Sequence, residues 1–251
     1  MADIRKIVTG DILTDSFAAG IARTYNVKNS KVVTLPSGQT CALADVSELD
    51  PTHYVDPLTS STFHFDHLSL TSTASDVKLA VDASKETTKA VLQTALSKYL
   101  ETYFISDPSA ASVYVKDDKF VLVLTGEKTN LKNFWSGRWN SSWTLSISGS
   151  KASLEGTIKV YVHYFEDGNL QLVTSYAHGP FELSFSSDAL LASQVVEKIK
   201  EQENAAQTKL DEMYNDMNNE TFKAMRRVMP VTRTKMDWNI NAVRMVRQVR
   251  K

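Results

Sequence analysis

The sequence predicts an α+β protein, in which an antiparallel meander of about five strands is covered by one long C-terminal helix. Three observations carry this. Between residues 111 and 185, apolar residues recur at every second position. Turn signals punctuate the same stretch at Lys116-Asp117-Asp118-Lys119, Gly149-Ser150 and Asp167-Gly168. After Ser186 the period lengthens to three and four, and no proline interrupts it before Pro230.

The elements follow in order. IRKIVTGDILTDSFAAGIARTY has loose helical spacing at Ile4, Ile7, Ile12, Phe17 and Ile21, with Gly10 dividing two short helices. Residues 1–25 are therefore expected to hold two short helices. Asn26 to Cys41 reads as a loop or short hairpin turning at Pro36-Ser37-Gly38. Asp50-Pro51 and Asp56-Pro57 are turns, because the residue before proline is pushed out of the α region. Phe63 and Phe65 alternate with His64 and Asp66, as in a short strand, and the polar Thr71–Ser75 is expected to be a loop. Ser84 is placed as the cap of a helix whose stripe is Leu92, Leu96, Tyr99, Leu100 and Tyr103, ended by Asp107-Pro108. Residues 51–110 thus hold turns, a short strand, a loop and a helix.

The sheet occupies 111–185. Val113–Val115 and Phe120–Leu124 form its first hairpin. Trp139, Ser141, Trp143, Leu145 and Ile147 then share one face, as do Gly156, Ile158, Val160, Val162 and Tyr164. Tyr161, His163 and Phe165 lie on the other, so both faces need some cover. Leu191, Val195, Ile199, Ala206, Leu210, Met213 and Met217 mark the stripe of the long helix, residues 186–229. About 43 residues at 1.5 Å each reach roughly 65 Å. A compact chain of this size spans about 50 Å. A continuous helix would lie across a second subunit; the alternative is two helices folded back at Asn218-Asn219.

Residues 230–251 have their own chemistry. From Thr221 onward nine basic residues stand against one acid, Asp237. The end of the chain carries +8 and the remainder −9, within a total of −1. Such separation points to a partner of opposite sign. Trp238, Ala242, Met245 and Val249 lie on one helical face, with Arg244, Arg247 and Lys251 opposite. About 14 residues are marginal as an isolated helix, so this tail folds when its apolar face finds a groove. Docking on a protein and lying in an anionic membrane interface both fit.

Other classes are set aside on residues. No apolar run approaches the roughly 18 residues that span a bilayer. The first residues lack a signal-peptide pattern. Cys41 is the single cysteine, which excludes an intrachain disulfide and suits a reducing, cytoplasmic setting. His64 and His67 lack a third clustered ligand, so neither metal nor cofactor is expected. TGEKTN lacks phosphate-loop spacing, and no constellation of nucleophile and base occurs, so no catalytic residue is assigned. FWSGRW, with Arg138 among tryptophans, could stack bases, but alternating tryptophans in a meander read better as core, and no nucleic-acid partner is assigned.

Three long segments, LKNFWSGRW, VYVHYFEDGNLQLV and TFKAMRRVMPVTRTKMDWN, resemble the alpha subunit of the F-actin capping protein, and HYVDPLTSSTFHFDHL adds a weaker match. They span His53 to Asn239 in order; the first 50 and last 12 residues carry no such motif. The resemblance implies a helical stalk, a globule, a sheet shared across a dimer, and a mobile C-terminal tentacle. It implies capping of the actin-filament barbed end, a capping protein beta subunit as partner, and a place in the cytoskeleton. A homodimer stays open. Lys223, Arg227 and Arg233 look like the family's basic positions that contact actin, with Arg226 and Lys235 beside them. Trp238, Ala242, Arg244, Met245, Arg247 and Val249 complete the expected actin-binding set. Phosphoinositides and regulators of capping are further implied partners, and a phosphoinositide-binding surface is the alternative function.

Overall fold

The sheet has the order β10-β9-β8-β7-β6, antiparallel throughout. It comprises β6 (Ser109–Lys116), β7 (Lys119–Asn130), β8 (Trp135–Ser148), β9 (Lys151–Tyr164) and β10 (Leu170–Ser184). The computed structural model describes residues 15–78, 83–104, 108–165 and 170–216. The strands run longer than the expected Val113–Val115 and Phe120–Leu124, because pairing continues through Thr125–Asn130, where hydrophobic alternation fades. The expected Asp167-Gly168 turn lies outside the described residues, as do Gly10 and Asp107.

Register sorts the side chains. Phe181, Leu154, Leu145 and Phe120 align across four strands, and Gly156, Trp143 and Leu122 align beside them. This face holds the large core, with Trp143, Leu122, Leu145, Leu154 and Ile158 fully buried. Each such Leu or Ile contributes about 1.5–3 kcal/mol by leaving water. Gly156 is required here: a Cβ at that position would overlap the Trp143 ring. The Trp143 Nε1 donates to Ser141 Oγ at 2.6 Å, and its ring stacks on His178 at 5.9 Å. Trp143 is therefore core, as the alternation predicts.

The opposite face is buried and apolar at the β6 end. Ala110, Tyr114 and Val123 pack there against Ala42 and Ala44. Toward β10 it turns polar, with Asn140, Ser142, Thr157 and Lys159.

Before the sheet come α1 (Asp15–Lys28), the hairpin β1 (Val32–Thr34) and β2 (Thr40–Ala42), and a small sheet of β3 (His53–Val55), β4 (Ser61–Asp66) and β5 (Thr71–Lys78). Leu35, Cys41, Leu43, Tyr54, Phe63 and Phe65 form its core. Burial pushes the Cys41 thiol up to about 12, so it packs as an inert apolar group.

Three expectations are corrected. Helix α1 runs to Lys28, so Asn26 lies in its last turn and not in a loop. Thr71–Ser75 is strand: its threonines pair with β4 at the sheet margin, where no apolar face is needed. Ser84 falls inside α2 (Ala83–Tyr103) instead of capping it. Helix α2 buries Leu92, Leu96 and Tyr99 of the expected stripe. Helix α3 (Asp188–Asp216) closes the described chain.

The chain divides into two units, residues 1–200 and 201–251. In the first, α3 buries Leu191, Ala192, Val195 and Ile199, and Lys198 sits 5.3 Å over the Phe181 ring. The helix thus lies on the core face of the sheet. In the second unit the described residues are the last turns of α3, where Glu203 and Ala206 are buried. Asn218-Asn219 lies outside the described residues.

Candidate functional site

The expected binding residues, Lys223, Arg226, Arg227, Arg233, Lys235, Trp238, Ala242, Arg244, Met245, Arg247 and Val249, all lie outside the described residues. The structure does describe the origin of the helix that precedes them. Leu190 N–H donates to Ser187 Oγ at 3.3 Å at its first turn. The Asp188 carboxylate, near the positive end of the helix dipole, accepts from Thr88 Oγ1 of α2 at 2.7 Å. Farther along, Lys200 lies 4.5 Å over the Tyr103 ring. The two helices are therefore tied at two levels.

Two surfaces outside the basic segment carry information. Strand β10 pairs on one side only, with β9, among the described residues. No residue of it is buried, and Val173 is 71% and Leu170 56% exposed. An open edge this long is a template for another strand. Helix α1 adds a stripe at four-residue steps, Phe17, Ile21 and Tyr25, each more than half exposed. Its helical spacing was legible; what it faces was not.

Helix α1 is held firmly despite that exposure. Arg138 Nη2 donates to Tyr25 Oη at 3.0 Å, and its guanidinium lies 5.4 Å over the same ring. Arg138 thus engages an aromatic of its own chain. Glu127 pairs with Lys31 and lies 3.7 Å from Arg138 Nε. Arg23 pairs with Glu48. Sequence reasoning missed these contacts because each joins distant segments.

A cleft of about 930 Å³ opens between α1, the segment Ala44–Glu48 and the polar face of the sheet, with Arg23, Glu48, Asn140, Thr157 and Lys159 in its lining. Its charges are mixed and Arg23 and Glu48 pair with each other, so it presents no single-sign field to an ion. Of the two histidines considered as ligands, His64 lies on β4, whereas His67 lies in the following turn, buried against Asn26 and Tyr54. No group of three or more potential metal ligands occurs among the described residues. No described helix is long and apolar enough to cross a membrane.

Comparison with known proteins gives a consistent result. The family model of the F-actin capping protein alpha subunit matches residues 1–248. The match takes in the first 50 residues, which carry no recognisable motif. The F-actin-capping protein subunit alpha of Chaetomium thermophilum is 30% identical over 239 residues, covering 95% of this chain and 84% of that protein. The corresponding subunit of Caenorhabditis elegans is 28% identical over 241 residues, covering 94% and 85%. Among solved structures, the homodimeric actin capping protein alpha subunit from Plasmodium berghei superposes with a TM-score of 0.75 at 21% identity, over 92% of this chain and 89% of that one. That likeness concerns the fold: the same antiparallel sheet followed by a long helix. With the family model matched along nearly its whole length, the chain belongs to the family of F-actin capping protein alpha subunits.

Proposed function

We propose that this chain is one subunit of a dimeric protein that occupies the barbed end of the actin filament and blocks subunit gain and loss. The family match across residues 1–248 carries the reading. The protein acts by occupancy, without catalysis, in the cytoplasm at the cytoskeleton. The working parts are the stalk 1–50, the globule and connecting helix 51–110, the sheet 111–185, the helix 186–229 and the tentacle 230–251.

The basic segment supplies the first contact. Lys223, Arg226, Arg227, Arg233 and Lys235 steer the chain toward an acidic actin surface, and association is then salt-dependent. Each exposed ion pair contributes about 0.2–1 kcal/mol. Tight capping also needs apolar anchoring, supplied by Trp238, Ala242, Met245 and Val249, with Arg244 and Arg247 on the opposite face of the tail. The dimer closes at the β10 edge, where the sheets of two subunits continue into one. Its pairing side, open among the described residues, and its lack of any buried residue support this. The second subunit is a capping protein beta subunit or a second copy of this chain; the mass and composition of the complex purified through a tag on this chain distinguish them.

The test is seeded actin elongation. Changing Lys223, Arg227 and Arg233 together to Glu should weaken capping by about one to two orders of magnitude, and the loss should shrink at high salt. Removing residues 239–251 should raise the dissociation rate. Unchanged thermal unfolding would show that the body is intact. Variants that cap as well as the parent would refute the site.

A second reading is favoured by the +8 carried after residue 220 beside an apolar tail face. The same surface would bind phosphoinositide headgroups in place of actin. Co-sedimentation with phosphoinositide vesicles, lost in the same charge-reversed variant and without effect on actin assembly, would favour this reading over capping.

A further inference from the structure

The last turn of α1 is fastened to the globule by one buried histidine. His67 is 4% exposed and lies in the turn after β4. Its Nδ1 is 3.3 Å from Asn26 Nδ2, and the same Nδ2 donates to the His67 carbonyl at 3.3 Å. Its Nε2 is 2.9 Å from Tyr54 Oη on β3. The Tyr54 and Phe65 rings stand edge-on to the imidazole at 5.6 and 5.0 Å.

These bonds fix the proton. A carbonyl oxygen only accepts, so the Asn26 atom facing it is the amide nitrogen, a donor. Nδ1 therefore accepts and carries no hydrogen, while Nε2–H donates to the Tyr54 oxygen. The neutral ring thus matches the Asn26 donor on one side and the Tyr54 oxygen on the other. A second proton on Nδ1 would set donor against donor. Rotating the Asn26 amide does not help, because its oxygen would then face the His67 carbonyl, acceptor against acceptor. Either way a buried polar pair is lost.

We infer that His67 is a pH-sensitive latch: the neutral imidazole holds the end of the N-terminal helix against the globule, and protonation releases it. The surroundings bear on this from every side. From α1, Arg23 disfavours a second positive charge; Glu48 and Asp66 favour it, and so does the Pro51 carbonyl. Burial outweighs them and holds the imidazole below its ordinary range. Tyr54, pushed up to about 12 by its own burial, stays a neutral phenol throughout. A histidine lowered in the folded state supports the fold above its free value and loses that support as pH falls. The inference stands apart from capping, since it concerns the body of the subunit.

The test uses the full-length protein. Imidazole nitrogen NMR should show the Nε2-protonated tautomer at pH 7.5 and a midpoint for His67 below its ordinary 6.5. Hydrogen exchange, corrected for intrinsic rates, should show protection of the α1 amides falling by up to about tenfold per pH unit once pH drops below that value, while α2 holds. Asn26→Asp should reverse the behaviour, because a carboxylate facing Nδ1 favours the charged ring: the midpoint should rise and acid should no longer loosen α1. A midpoint at or above 6.5, the Nδ1-protonated tautomer, or α1 and α2 loosening together in the parent would overturn the latch. So would acid loosening of α1 in Asn26→Asp equal to that of the parent.

Discussion

The two edges of the five-stranded sheet are treated in opposite ways. At β6 the edge is sealed. Gln93 of α2 reaches across and acts as a missing strand: its Oε1 accepts from Val113 N–H and its Nε2 donates to the Ala111 carbonyl, both at 2.8 Å. From the other side Ser112 Oγ accepts from Ala42 N–H at 2.9 Å and Tyr114 Oη donates to the Ala42 carbonyl at 2.7 Å. Five consecutive β6 residues, Ala110–Tyr114, are buried. At β10 no residue is buried and the outer side pairs with no described strand. A chain that spends a buried glutamine on closing one edge is not indifferent to open edges; an edge left open among the described residues suits the seam proposed above.

The sharpest way to break the contrast is at the sealed edge. Gln93→Ala would leave Val113 N–H and the Ala111 carbonyl buried without a partner. At about 1–3 kcal/mol each, the loss should be roughly 2–6 kcal/mol, read by chemical denaturation. If the variant unfolds at the same denaturant concentration as the parent, the edge is not closed by Gln93. The converse experiment is at β10. Val173→Lys with Ser175→Lys adds charge to positions that are exposed in the single chain, so subunit stability should change by less than about 0.5 kcal/mol. Association should weaken by roughly 100-fold, because in a self-paired or mixed dimer these side chains would be forced beside another strand. Sedimentation separates the two effects; a dimer of undiminished affinity would place the seam elsewhere.

The contrast also shows what a sequence can declare. The meander was legible because Leu122, Trp143, Leu145, Leu154 and Ile158 bury one face at period two, and α3 because Leu191, Val195 and Ile199 keep period four. Gln93 was not legible: between Leu92 and Leu96 it looks like a polar flank, and its role depends on a strand 18–20 residues later. Thr71–Ser75 misled because a marginal strand needs no apolar alternation. Gly156 did leave a signal, since a lone glycine inside a strand marks a close approach, here that of Trp143. The proposed actin-binding residues stand out for the reverse reason. Charge concentrated after residue 220 is visible without any fold.

The smallest effect tests whether the sealed edge extends to the helices beyond it. Thr88 Oγ1 donates to Asp188 Oδ2 at 2.7 Å, joining the second turn of α2, which closes β6, to the first turn of α3. The pair is partly buried, and a hydrogen bond to a charged acceptor is worth about 1.5–3 kcal/mol at most. Thr88→Val keeps the shape and removes the donor, while Asp188 keeps its favourable place at the helix terminus and regains water. The expected loss is therefore only about 1 kcal/mol, a shift of roughly 2–4 °C in the unfolding midpoint of a chain this size. Asp188→Asn in the Thr88→Val background should then cost little more than the dipole contribution, about 0.3–1 kcal/mol. Additive losses, with no coupling between the two positions, would mean that α2 and α3 are placed by packing alone.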